Sequence, residues 1–248
     1  MLDGSSATRR IIGILLAVFA AAMTPASATD ATILVKSAKT LFDDGDYEAA
    51  EEALKLALDG ISEAEPRRYS ACLQNIAYIE FLNYHFLESE KLYEKALNFT
   101  TQASGDDSLD LANNLYGLSR SMRRQNKLAE AEPILQRIAS IRLKQLGAEH
   151  RLVSNSYFDL AVNSERIGKP QEAISYYGKT LCIREKLYGK TSKALTPLVE
   201  SYCSLLQKCN NDKAPEMLER LQCIRTFPGP DVVLPPKEAD GNGWIDLD

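Results

Sequence analysis

Histidine and tryptophan are the scarcest side chains in this chain of 248 residues, with two of the first and one of the second. His85 and His150 have no second ligand at metal spacing, so the sequence shows neither a zinc site nor a catalytic dyad. A CxxC pair, a Gly-rich phosphate loop and a GxSxG elbow are also missing. There is no surplus of positive charge, the formal net charge being -5, which argues against wholesale binding to phosphate backbones and so against nucleic acid as a partner. The apolar run IIGILLAVFAAAM, residues 11–23, spans about 20 Å as a helix against roughly 30 Å of bilayer hydrocarbon. These absences lead to the expectation of a non-enzymatic protein without a cofactor.

What is present begins with that run. It follows Arg9 and Arg10 and precedes TPASA, the layout of a secretory signal, with Ala26 and Ala28 as the small residues that a signal peptidase accepts. Residues 1–28 are therefore expected to be cleaved after Ala28, releasing an exported protein into a periplasm or the medium. An uncleaved signal is the alternative and would be the one attachment to a membrane. An oxidising compartment raises the question of the five cysteines, an odd number. Cys72 reads as a small buried hydrophobe on a helix. Cys182 and Cys203 lie at mirrored distances from the turn near Tyr188 to Ser192, and a bond between them would close a loop of about 20 residues, worth roughly 3 kcal/mol.

The strongest signal is internal repetition. GDYEAAEEALKLAL (45–58), YHFLESEKLYEKAL (84–97), NKLAEAEPILQRIA (126–139) and GKPQEAISYYGKTL (168–181) align without gaps, and CNNDKAPEMLERLQ (209–222) is a weaker fifth copy. Each carries a small residue (Ala50, Ser89, Ala131, Ala173, Ala214) followed four positions on by a large one (Leu54, Tyr93, Leu135, Tyr177, Leu218). Steps of four and three keep these side chains on one helical stripe, so each copy is an amphipathic helix with a neighbour close to its small residue. A second apolar helix precedes each copy, as in Leu115, Ser119 and Met122, and Gly45, Asn126 or Gly168 marks the turn between the two. Pro133, Pro170 and Pro215 all fall near the start of the later helix, where a missing N–H is tolerated.

A run of helix-turn-helix hairpins with these linkers, IRLKQLGAEH (141–150) and IREKLYGK (183–190), resembles the tetratricopeptide repeat, in the 42-residue form seen in kinesin light chains. The resemblance covers about residues 31–226, with Glu80 and Ser164 at first-helix sites where the family usually has a large apolar residue. It implies an all-α, right-handed superhelical solenoid of about five repeats over residues 29–226, with an inner surface lined by the first helices that binds peptide segments of other proteins. On that face the expected groove residues are Lys39, Tyr78, Phe81, Tyr116, Arg120, Arg123, Arg124, Asn155, Phe158 and Arg166, together with Val35, Phe42 and Gln74. Arginine forks onto carboxylates and rings give flat apolar area, which suits a peptide with acidic and aromatic residues. The rival use is a structural subunit docking through the outer face.

Residues 227–248 form a Pro-rich acidic tail ending in EADGNGWIDLD. Set against a calcium loop, Glu238, Asp240, Asn242 and Asp246 fill ligand positions and Gly243 the turn, which leaves a calcium-responsive protein as an alternative function. However, the closing bidentate glutamate is missing, and Pro235 and Pro236 prevent a regular entering helix, so calcium is not expected as a partner. Kinesin light chains, which the array resembles, bind tryptophan-acidic peptides, and GWIDLD is an acidic segment around the sole tryptophan. The tail is therefore read either as a tether that lays Trp244, Asp246 and Asp248 into the protein's own groove, or a neighbour's, or as an end without structure.

Overall fold

Helical propensity and left-handed turn residues alternate along this chain, and the result is five antiparallel hairpins. The computed structural model describes residues 28–227 and 244–245. Its helices are α1 (Ala28–Asp43), α2 (Tyr47–Gly60), α3 (Pro66–Leu82), α4 (Phe86–Ser104), α5 (Leu109–Arg124), α6 (Leu128–Leu146), α7 (Arg151–Arg166), α8 (Pro170–Tyr188), α9 (Thr196–Lys208) and α10 (Ala214–Thr226), with a 3-10 turn at Lys193–Leu195. Among the described residues there is no strand, and no helix is long and apolar enough to cross a membrane. Two compact units result, the first holding α1 to α4 with Trp244 and Ile245, the second holding α5 to α10. The expected signal, residues 1–28, lies almost wholly outside the described residues, as do Glu238, Asp240, Asn242 and Asp246 of the calcium alternative.

One turn recurs in every hairpin. Gly45, Tyr84, Asn126, Gly168 and Asn210 all have positive φ, between 48° and 85°. In each case the next residue returns its N–H to the carbonyl five positions back, from Asp46 to Leu41, His85 to Glu80, Lys127 to Met122, Lys169 to Ser164 and Asn211 to Leu206, at 2.8–3.0 Å. This is the Schellman closure of a helix end, which satisfies carbonyls that the helix leaves open. Glu80 and Ser164, the two departures from the apolar pattern, both occupy the position whose carbonyl accepts that bond. Glu80 finds a side-chain partner there, its Oε2 meeting His85 Nδ1 at 2.7 Å, whereas Ser164 is fully buried with its hydroxyl unpaired among the described residues.

The expected stripes pack as expected in four copies. Ala50, Leu54 and Ala57 of α2 join Leu34, Ala38 and Leu41 of α1 and Cys72, Ile76 and Ile79 of α3 in the core of the first unit. Ser89 is fully buried and its hydroxyl donates to the Ala77 carbonyl at 2.7 Å, so the small residue there marks close helix approach. In the second unit Ala131, Leu135 and Ile138, then Ala173 and Tyr177, are buried likewise. The fifth copy departs from the pattern. Leu218 is 39% exposed and Met217 is buried in its stead, while Ala214 and Leu221 hold their expected buried places. Ala214 is the first residue of α10, whereas Ala50, Ser89, Ala131 and Ala173 are each the fourth of theirs.

Two further expectations are corrected. Pro170 opens α8 and Pro215 is the second residue of α10, but Pro133 is the sixth residue of α6 and removes a helical hydrogen bond. All five cysteines are free thiols. Cys203 is buried in the core of the second unit while Cys182 is exposed on α8, so the two sulfurs occupy different environments and the expected disulfide is not made. Cys72 is fully buried, donates to the Leu54 carbonyl at 3.3 Å, and is pushed up to about 12 by burial, which keeps it a thiol.

Gly168→Ala, which forces a Cβ onto a left-handed backbone, is expected to lower unfolding stability by about 1 kcal/mol, and Tyr84→Gly, which relieves one, to raise it by about as much, measured by denaturant titration. A second expectation concerns Glu80. Burial raises its carboxyl above the ordinary value, the bond from His85 pulls it down, and the charge of Glu51 adds to the rise. A raised folded value means that its contribution to stability is full below the unfolded 4.5 and is lost as pH climbs through the folded value. Glu80→Gln removes that loss, so relative to wild type its melting temperature is expected to gain as pH rises from the unfolded 4.5 through the raised folded value.

Candidate peptide-binding site

The first helices of successive hairpins repeat in register, so residues 39 or 42 apart have equivalent places: Lys39 with Tyr78 and Arg120, and Phe42 with Phe81 and Arg123. In the first unit this register brings together Lys39 and Phe42 of α1 and Asn75 and Tyr78 of α3. Phe42 is the hub, with ring centroids 5.3 Å from Tyr47, 5.8 Å from Tyr78 and 5.4 Å from Trp244. The Lys39 ammonium stands 5.9 Å from the ring centres of both Phe42 and Trp244, and it is ion-paired to Asp43. A cation over aromatic faces is held by the ring quadrupole.

The polar anchor of this cluster is Asn75. Its Nδ2 donates to the Ile245 carbonyl at 2.9 Å and its Oδ1 accepts from the Ile245 N–H at 2.8 Å. One amide thus satisfies both backbone groups of a single residue, which is the hydrogen-bonding offer that an extended strand edge would make. Sequence reasoning placed Gln74 on this face and missed Asn75. Gln74 instead points inward, is buried, and donates to Thr100 Oγ1 at 3.3 Å. The signal was available: Val35 occupies the register of Gln74 in the first hairpin and is itself 4% exposed, so its apolar character marks a core position. Phe81 also turns away, packing against Phe86 at 5.4 Å within its hairpin.

In the second unit the equivalent positions are filled differently. Asp159 stands where Asn75 stands two periods earlier, and it accepts from Arg123 Nη1 at 2.8 Å, both side chains being only 15% exposed. Arg123 is thereby committed to an internal ion pair. Tyr116 and Phe158 are covered by guanidinium groups from the second helices, Arg142 at 5.1 Å and Arg184 at 5.2 Å, one period apart. Arg142 is fully buried and donates to Ser156 Oγ at 3.1 Å, while Arg184 donates to Asn155 Oδ1 at 3.2 Å and Ser154 Oγ at 3.0 Å. Arg166 reaches Asn126 Oδ1 at 3.5 Å. Arg120 is half-buried and Arg124 exposed, both on α5. Sequence reasoning named Tyr116 and Phe158 but not the arginines of α6 and α8 that stack on them, whose 42-residue spacing was the readable clue.

The remaining chemistry is structural. His150 Nδ1 accepts from the Leu152 N–H at 3.1 Å and so caps α7. Among the described residues no three His, Cys, Asp or Glu side chains are grouped as a metal site. The Arg123–Asp159 pair yields a quantitative expectation: Asp159→Ala should lower unfolding stability by about 2 kcal/mol, and adding Arg123→Ala should cost much less than a second such loss, as a double-mutant cycle would show.

Comparison with known proteins agrees with this fold. The tetratricopeptide repeat model matches residues 69–144 and 123–186. A solved structure of BtubC (BKLC) from P. vanneervenii superposes with a TM-score of 0.71 at 18% identity, covering 92% of this chain and 96% of that one. The kinesin light chain nearly identical TPR-like repeats from Podosopora anserina give 0.66 at 19% identity, covering 77% and 93%. In sequence, the Clustered mitochondria protein homolog of Candida albicans is 30% identical over 130 residues, 52% of this chain, and the match spans 10% of that relative's length.

Proposed function

Because this chain is a tetratricopeptide repeat protein, we propose that it is a protein-interaction scaffold that binds an extended segment of a partner protein on the first-helix face of its first unit. The observation that carries the reading is the two-point grip of Asn75 on the backbone of Ile245, beside an aromatic seat made by Phe42 and Tyr78 under Lys39. A side-chain amide that pairs with both backbone groups of one residue selects extended conformation, and the aromatic seat adds selection for a flat ring on the preceding residue. The partner segment is thus an aromatic residue followed by an aliphatic one. The cations of α5 contribute less than their number suggests, since Arg123 is already paired with Asp159.

Export belongs to the same proposal. Residues 1–28 have the order of charge, apolar run and small residues of a secretory signal, which would place the scaffold in a periplasm or outside the cell. The partner would then be another exported or envelope protein.

Selection of peptides from a random phage library on the full chain tests the site. Enriched peptides should carry the aromatic–aliphatic pair, and Asn75→Ala should weaken them about thirtyfold, the effect of losing two neutral hydrogen bonds of about 1 kcal/mol each. Peptides that bind Asn75→Ala as tightly as wild type would contradict the assignment.

A further inference from the structure

The seat on α1 and α3 is filled by the protein's own chain. Trp244 lies among the side chains packed against the core of the first unit, and Ile245 is gripped through its backbone by Asn75. Such contacts are those of a bound peptide: one ring in an apolar seat and one residue held by main-chain hydrogen bonds. The fit is also incomplete. Trp244 Nε1 is buried and has no hydrogen-bond partner among the described residues. A donor removed from water without an acceptor weakens the docked state relative to the released one.

We propose that Trp244–Ile245 is a resident, displaceable ligand that holds this peptide site closed until a partner segment evicts it. The inference rests on the reading of α1 and α3 as the peptide site and adds its regulation. Tethering gives the tail a high effective concentration, so a partner in trans must outcompete it. The stranded indole donor states what kind of partner does so. A phenylalanine ahead of an aliphatic residue fills the same apolar seat and strands no donor, while its backbone takes over the Asn75 grip. Regulation follows from the mismatch: the tail fits well enough to exclude weak or incidental peptides and poorly enough to yield to a matched one.

The sole tryptophan supplies the readout. Its emission in the full chain is expected at the short wavelength of a buried indole and in Asn75→Ala at that of an exposed one. Titration with the synthetic peptide EADGNGFIDLD, which carries phenylalanine at the tryptophan position and is silent at tryptophan excitation, should move the wild-type emission to the exposed value. A fluorescein-labelled copy should bind the full chain carrying Trp244→Ala and Ile245→Ala about tenfold more tightly than wild type, the factor for a site closed nine-tenths of the time. Equal binding to both chains, still lost in Asn75→Ala, would overturn the closed state while leaving the peptide site standing. No binding to the double variant would overturn both. A wild-type emission that shifts on dilution of the protein alone would mean that the tail sits in a second copy, and would overturn the intramolecular form.

Discussion

A backbone hydrogen bond across a left-handed residue sets the register of everything else in this protein. It closes five times, each time ending a first helix and reversing the chain into a second. A hairpin alone cannot bury its apolar stripe, so its stability depends on a neighbour presenting a stripe at matching height. Fixed turns make the heights match. In the fifth hairpin the buried step from Ala214 is three residues instead of four, so Met217 is covered and Leu218 is left exposed.

The same register assembles the site. Because the first helices repeat, a position in one hairpin has equivalents in the others. Asn75 and Asp159 illustrate this: the amide is turned to a peptide backbone, the carboxylate to Arg123. The first unit therefore presents a grip for main chain, whereas the corresponding place in the second unit is spent on an internal ion pair. Rings at the register of Gln74 show a similar division, since Tyr116 and Phe158 carry arginines above them while Gln74 is tied to Thr100.

Much of the fold was legible in the sequence because it depends on local patterns that repeat. The small-to-large step of four residues and the Gly or Asn turns located the hairpins, and helical periodicity named the buried stripe in four copies. Tyr84 was not readable as a left-handed residue, because its type gives no hint of positive φ and only the repeat alignment places it there. The site was less legible. Choosing Gln74 over Asn75 is an error of one residue, yet it rotates the side chain by about 100° and exchanges a bond to Thr100 for the grip on Ile245. Pairings such as Arg142 with Tyr116 depend on distances between helices that no single helix encodes. The tail was recognisable as a ligand-like segment, but its seat is on α1 and α3 with Lys39 as the nearby cation, instead of among the arginines of α5. Asp246 and Asp248, the other members of the expected plug, lie outside the described residues.

The central claim is that Asn75 holds the backbone of Ile245 in a peptide site. Hydrogen exchange at the Ile245 amide, followed by NMR in the full chain, measures that bond directly, since this N–H is the donor to Asn75 Oδ1. Protection well beyond the free-chain rate, abolished by Asn75→Ala and by an evicting peptide, is the predicted result. Exchange at the free-chain rate in the wild-type protein would contradict the account.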